Sequence, residues 1–142
     1  PMRAWAVITA GLLAGCASPH EVHIADTDPS GWRRAAAVAV PNTDTLARRD
    51  LTVVLRCDER FREDTLTLRI GVLSPDSLAY EEPFTLRIPR GTAAAPLGRE
   101  VAIPYRRRSV LADSGTYRFT FTPVRSVAGI EAAGLSITAS ND

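Results

Sequence analysis

The sequence predicts an all-β fold, an antiparallel two-sheet β-sandwich of about seven strands, Ig-like or jelly-roll-like. Three observations predict it. Short runs alternate apolar and polar residues with a period of two. Turn-forming residues punctuate those runs, as in Pro75-Asp76-Ser77, Arg90-Gly91 and Asp113-Ser114-Gly115. No stretch carries a helical amphipathic period. Strands with one apolar face each need a second apolar layer, and two sheets packed face to face supply it most economically.

The elements follow in order. Trp32 to Val40 reads as a first strand built mostly from Ala and Val. Leu51 to Cys57 is a second, with Leu51, Val53, Leu55 and Cys57 on one face. Thr65 to Leu73 is a third, with Leu66, Leu68, Ile70 and Val72 inward and Thr65, Thr67, Arg69 and Gly71 outward. Pro83 to Ile88 places Phe84, Leu86 and Ile88 inside. Val101 to Tyr105 carries Pro104, which cannot donate to a ladder and so belongs at an edge or a strand end. Gly115 to Thr122 alternates Tyr117, Phe119 and Phe121 with Thr116, Arg118, Thr120 and Thr122. Gly134 to Thr138, with Leu135 and Ile137 inward, closes the set.

The N-terminal segment has a different character. Met2 and Arg3 precede an apolar run from Ala4 to Leu13, which ends in Leu13-Ala14-Gly15-Cys16. A secretory apolar region spans about 7–15 residues, and a membrane-spanning helix needs about 20, so this run is too short to span. Leu-Ala-Gly-Cys resembles a bacterial lipoprotein processing site. The resemblance implies cleavage before Cys16 and acylation of its thiol. The expected organisation is a signal peptide over 1–15, a lipid-anchored tether over 16–31 and a β-sandwich domain over 32–142. The expected location is the cell envelope, lipid-anchored. Ala17 follows the cysteine, so no Asp there points to retention at an inner membrane.

Composition narrows the partners. All 17 basic residues are Arg, and loss of Arg3 with the signal leaves 16 of them against 16 acidic residues. A near-neutral domain lacks the surplus positive charge that nucleic acid binding requires. With Cys16 acylated, Cys57 has no partner for an intramolecular disulfide and reads as a small buried hydrophobe.

The C-terminal third carries a family resemblance. Gly115-Thr116-Tyr117-Arg118-Phe119-Thr120-Phe121 leads through Val124-Arg125 to Gly129-Ile130-Glu131-Ala132-Ala133-Gly134-Leu135-Ser136-Ile137. This resembles the end of the gliding-motility lipoprotein H (GldH-type) family of Bacteroidetes, in which a G-x-Y-x-F strand precedes a Met-Arg pair and a G-I-x-D-x-G-L-x-I closing strand. Gly31-Trp32, Leu66-x-Leu68-Arg69-Ile70 and Tyr80 resemble upstream positions. The chain departs from the pattern at Pro96, at Val124 and at Ala132-Ala133. The resemblance implies a non-enzymatic envelope lipoprotein, a structural or assembly component linked to gliding motility and the type IX secretion machinery. The implied partners are envelope proteins of that complex.

Catalytic and metal constellations are sparse. His20-Glu21-Val22-His23 has two His three apart, which share a face only on a helix, and it is not the H-E-x-x-H of zinc proteases. Both His lie in the expected tether, so no Ser-His-Asp triad is available to the domain. Glu81-Glu82 and Asp58-Glu59 read as solvated loop charges. No cofactor and no metal is expected. Binding residues are the better candidates. Alternation sends Arg56, Arg69, Arg87 and Arg118 outward on four strands, where they form a basic stripe edged by Thr52, Thr67, Thr85 and Thr120 if those strands share a sheet. Arg106-Arg107-Arg108 follows a strand and suits a membrane surface or a partner. Trp32, Tyr80 and Tyr105 are the aromatics left for contact, which raises the alternative of a surface carbohydrate-binding β-sandwich lipoprotein.

Overall fold

A computed structural model describes residues 20–89 and 99–141 of the 142-residue chain. Eight strands run in the order β1 (His20–Asp26), β2 (Ala36–Asn42), β3 (Arg48–Cys57), β4 (Thr65–Leu73), β5 (Ala79–Arg87), β6 (Arg99–Val110), β7 (Gly115–Pro123) and β8 (Ile130–Ala139). They form two antiparallel sheets, sheet I with the order β1-β8-β3-β6 and sheet II with the order β2-β7-β4-β5. Every connection except the β4–β5 hairpin passes from one sheet to the other. That is the jelly-roll form of the sandwich, with eight strands where the sequence predicts about seven.

The inner faces meet in one core. Leu55 and Leu135 of sheet I and Leu68, Ile70, Phe119 and Phe121 of sheet II are all buried in it. Each such side chain contributes roughly 1.5–3 kcal/mol on burial. Cys57 is fully buried, and desolvation raises its thiol pKa, so it packs as a hydrophobe. Pro41 and Pro104 sit on the edge strands β2 and β6, where a missing donor costs least.

One expectation is corrected here. Residues 17–31 read as a tether, yet His20–Asp26 forms β1 and pairs with β8 along its whole length, from His20 opposite Thr138 to Asp26 opposite Ala132. Its inward positions are Glu21, His23 and Ala25, which give almost no apolar signal. Backbone pairing against a small-residue stretch of β8 does the work instead. A Cβ at Gly134 would lie 2.0 Å from the His23 carbonyl oxygen, so glycine is what lets the strands close. The expected first strand also shifts to Ala36–Asn42, with Trp32 left in an isolated bridge to Val127. Residues 1–19, which include Cys16 and the signal segment, and the turn at Arg90-Gly91 lie outside the described residues. Among the described residues, no helix is long and apolar enough to cross a membrane.

The barrel-like stack has two ends. One gathers the loops 27–35, 58–64 and 124–129. The other gathers the start of β1, the end of β8 and the loops 43–47, 74–78 and 111–114. The two ends differ in chemistry.

Candidate interaction surfaces

Strands β5 and β6 are edges of different sheets, and their side chains meet across the open flank of the sandwich. Leu51 pairs with Arg106 while Thr52 pairs with Pro104, so Tyr105 is an extra residue on β6. That bulge aims both Tyr105 and Arg106 at Glu82 of β5. The Tyr105 hydroxyl donates to Glu82 Oε2 at 2.5 Å, and the Tyr80 hydroxyl donates to the same oxygen at 2.8 Å. Arg106 donates to Glu82 and, at 2.6 Å, to the Tyr80 hydroxyl. Its guanidinium also lies 4.7 Å from the centroid of the Tyr105 ring, and Phe84 meets that ring edge-on at 5.0 Å.

The electrostatics of this cluster point one way. The hydroxyls of Tyr105 and Tyr80, then Arg106, hold the Glu82 carboxyl below its usual range. Burial, then the hydrogen bond to Glu82, pushes Tyr105 well above the usual phenol value. Glu82 therefore stays ionised and Tyr105 protonated across physiological pH. Neither is poised to exchange a proton near neutrality, as a general acid or base would be. The cluster is a latch on the flank.

The expected arginine stripe does not form as one surface. Arg69, Arg87 and Arg118 do project from the outer face of sheet II. Arg56 and Thr52 belong to β3, so they lie on the opposite side of the molecule, on sheet I. The three that share a face are also spread out. Arg87 sits opposite Thr65, Arg69 opposite Pro83, and Leu73 opposite Arg118, so each step along β4 is four residues, about 13 Å. Glu81 lies 3.9 Å from Arg69, and Thr67 and Thr85 hydrogen-bond to each other at 2.8 Å.

A shallow depression does open on that face, floored by Gly71 and lined by Thr120, Glu81, Arg118, Leu73, Ala79 and Tyr80. It exists because Gly71 has no side chain: a Cβ there would meet Thr120 Oγ1 at 2.5 Å. Tyr80 is 47% exposed, but it pairs with Val72 and its hydroxyl turns to Glu82 on the other side of β5. The outer face of sheet I contrasts with it. Ile24 aligns with Gly134, Val54 and Ala102, and Val22 with Ser136, Thr52 and Pro104, so two adjacent rows carry no charge. Val22 and Ile24 stand exposed at its β1 margin.

Other predicted positions fall differently. Trp32 is 2% exposed, its indole donates to the Arg34 carbonyl at 2.7 Å, and its backbone exchanges two hydrogen bonds with Val127. Tyr105 is 9% exposed. Neither ring is available to stack on a ligand, which leaves Tyr80 of the three aromatics. Arg106-Arg107-Arg108 lies within β6, not in a loop after it. Arg49 pairs with Ser109 and Leu51 with Arg106, so a second extra residue enters there, and Arg108 takes φ 51°. Asp50 accepts from the Arg108 backbone N–H at 3.0 Å and from Ser140 Oγ at 2.6 Å, which lowers its pKa.

The strand geometry of β1 puts His20 and His23 on opposite faces. His20 meets Ser136 Oγ at 3.1 Å and His23 meets Glu21 at 3.0 Å. Glu81 and Glu82 likewise project to opposite sides of β5, and Asp58 caps its own turn through the Arg60 N–H at 2.8 Å. Among the described residues, no group of three metal-ligating side chains converges. Sequence reasoning did not single out Glu82, Gly71 or the outward Val22 and Ile24 as a surface. Only the alternation of Val22 and Ile24 was there to be read.

No family model matches the chain, and no curated protein matches it. Among solved structures, the chain is similar to the crystal structure of a non-crystalline cellulose specific carbohydrate-binding module, CBM28. The identity is 10%, the TM-score is 0.44, and the match covers 95% of this chain and 80% of that one. The sandwich class itself stands on the strand order described above.

Proposed function

We propose that this chain is a non-enzymatic, lipid-anchored envelope protein that works by binding. The observation that carries this reading is where its ionisable groups go. Glu82, Tyr105 and Arg106 are consumed in the flank latch, Asp58, Asp44 and Asp28 cap turns, and both His lie at the β1 edge. What the fold offers to other molecules is two open sheet faces. The anchor reading rests on Leu13-Ala14-Gly15-Cys16, and Cys16 is its lipidation site.

The first ligand class is a surface glycan held on the outer face of sheet II. The depression over Gly71 supports it, since Thr120, Glu81 and Arg118 offer donors and acceptors there. Binding of the full-length protein to a glycan array, with Arg118→Ala and Tyr80→Ala alongside, tests it. Arg118 is exposed, so loss of signal in Arg118→Ala with unchanged stability supports the reading, and no glycan signal from the wild type contradicts it.

The second class is a protein partner in a motility or type IX secretion complex, as the GldH-type resemblance implies. The uncharged rows on sheet I favour it, because such faces suit protein contacts. A deletion strain with normal surface movement and normal type IX secretion would overturn it.

A further inference from the structure

We infer that the end of the sandwich bearing loops 43–47 and 74–78 docks on the membrane that holds the lipid anchor. Leu46 and Leu78 enter the headgroup–acyl boundary, and Arg107 and Arg108 meet lipid phosphates. The inference rests on the proposed acylation of Cys16.

Chain length supplies the first argument. Only Ala17, Ser18 and Pro19 separate Cys16 from His20, the first residue of β1, so the anchor lies at most about 14 Å from the sheet. A domain held that closely cannot stand clear of the bilayer. The direction of β1 decides which end faces it, because His20 pairs with Thr138 at the end of β8 and Ala139 with Arg49 at the start of β3.

Exposure supplies the second argument, independent of the tether. Leu46 is 85% exposed and Leu78 70%, the two highest values among the described large hydrophobic residues. Leu73 and Val110 flank the same end at 40% and 43%. Among the described residues, the opposite end has Val124, at 53%. Leu46 is also presented rather than loose, since Asp44 caps its loop through the N–H groups of Leu46 and Ala47, both at 3.0 Å. Leu78 closes a turn in which Ser74 and Leu78 exchange hydrogen bonds at 2.9 and 3.1 Å.

The charges complete the surface. Arg107 and Arg108 are exposed on the β6 side of this end. Carboxylates share this end: Asp44 and Asp50 accept backbone N–H groups, Asp50 lies beside Arg107 and Arg108, and Asp76 and Asp113 lie against each other between the β4–β5 and β6–β7 loops. Apolar tips with a cationic margin are what an interfacial anchor presents to anionic lipid. Docking this way also leaves both sheet faces standing away from the bilayer, free for partners.

The test uses acylated full-length protein purified from membranes and returned to phosphatidylcholine vesicles with or without phosphatidylglycerol. Leu46→Cys, Leu78→Cys and Val124→Cys each carry a polarity-sensitive dye. The buried Cys57 thiol and the acylated Cys16 do not compete for the label. Nitroxide lipids should quench positions 46 and 78 several-fold more than position 124. Arg107→Glu should reduce that quenching on phosphatidylglycerol vesicles. Equal quenching at all three positions in protein that floats with vesicles overturns the docking and leaves the anchor standing. Absence of the acyl mass on Cys16 overturns both.

Discussion

The two ends of this sandwich spend their residues differently. At the end formed by loops 27–35, 58–64 and 124–129, Trp32, Phe61 and Val127 are turned inward. Trp32 is buried and bridged to Val127, and Gly129 takes φ 90° with its backbone pressed on Phe61, where a Cβ would lie 2.2 Å from the Phe61 nitrogen. At the other end, Leu46 and Leu78 point into solvent. The comparison separates two kinds of importance. Gly31-Trp32, Gly129 and Gly134 hold the architecture. The apolar residues that fold nothing are the ones left over for contact.

Substitutions sharpen this contrast, from the largest effect to the smallest. Trp32→Ala should cost about 3–5 kcal/mol, because it empties a buried site and strands the bridge to Val127. Gly129→Val should cost several kcal/mol through its positive φ and its clash with Phe61 backbone. Urea unfolding midpoints of the two variants measure both. A small loss at either position would break the claim that this end is architectural.

The flank latch lies between these extremes. Glu82→Gln keeps the shape and removes the charge, and we expect a loss of about 1 kcal/mol, small because the side chain is 30% exposed. Its pH signature follows from the direction of the shift. The folded-state pKa of Glu82 lies below the usual glutamate value of 4.5, so the stabilisation is complete above that value and is lost as pH falls through the folded pKa. Wild type should therefore lose more stability than Glu82→Gln between neutral pH and acid, and parallel curves would contradict the role given to Glu82. Leu46→Ser and Leu78→Ser should leave stability within about 0.5 kcal/mol while each lowers nitroxide-lipid quenching of a dye at the other of the two positions.

The strands legible in the sequence are those whose inward residues are large. Thr65–Leu73 is read to its boundaries because Leu66, Leu68 and Ile70 alternate without interruption. β1 is hidden because its inward residues are Glu21, His23 and Ala25 and its stability comes from backbone pairing beside Gly134. β6 reads short because two extra residues break the alternation where Arg106-Arg107-Arg108 begins. The arginine stripe depends on strand order, and strand order is set by which connections cross between sheets, a property that period-two alternation does not encode. The latch has the same origin. Glu82 and Arg106 lie 24 residues apart and meet because β5 and β6 are both edges.

The central claim, a binding protein that faces the membrane with one end and its partners with the sheet faces, can be tested in the native envelope. The chain has no lysine for amine crosslinkers, so a benzophenone amino acid placed at Ala102, Ala39 or Leu46 of the full-length protein is the direct probe. Ala102 lies on the outer face of sheet I and Ala39 on that of sheet II. The account predicts that Leu46 captures lipid while Ala102 or Ala39 captures a defined partner or glycan. Capture of the partner at Leu46, with nothing but lipid at the two faces, would contradict it.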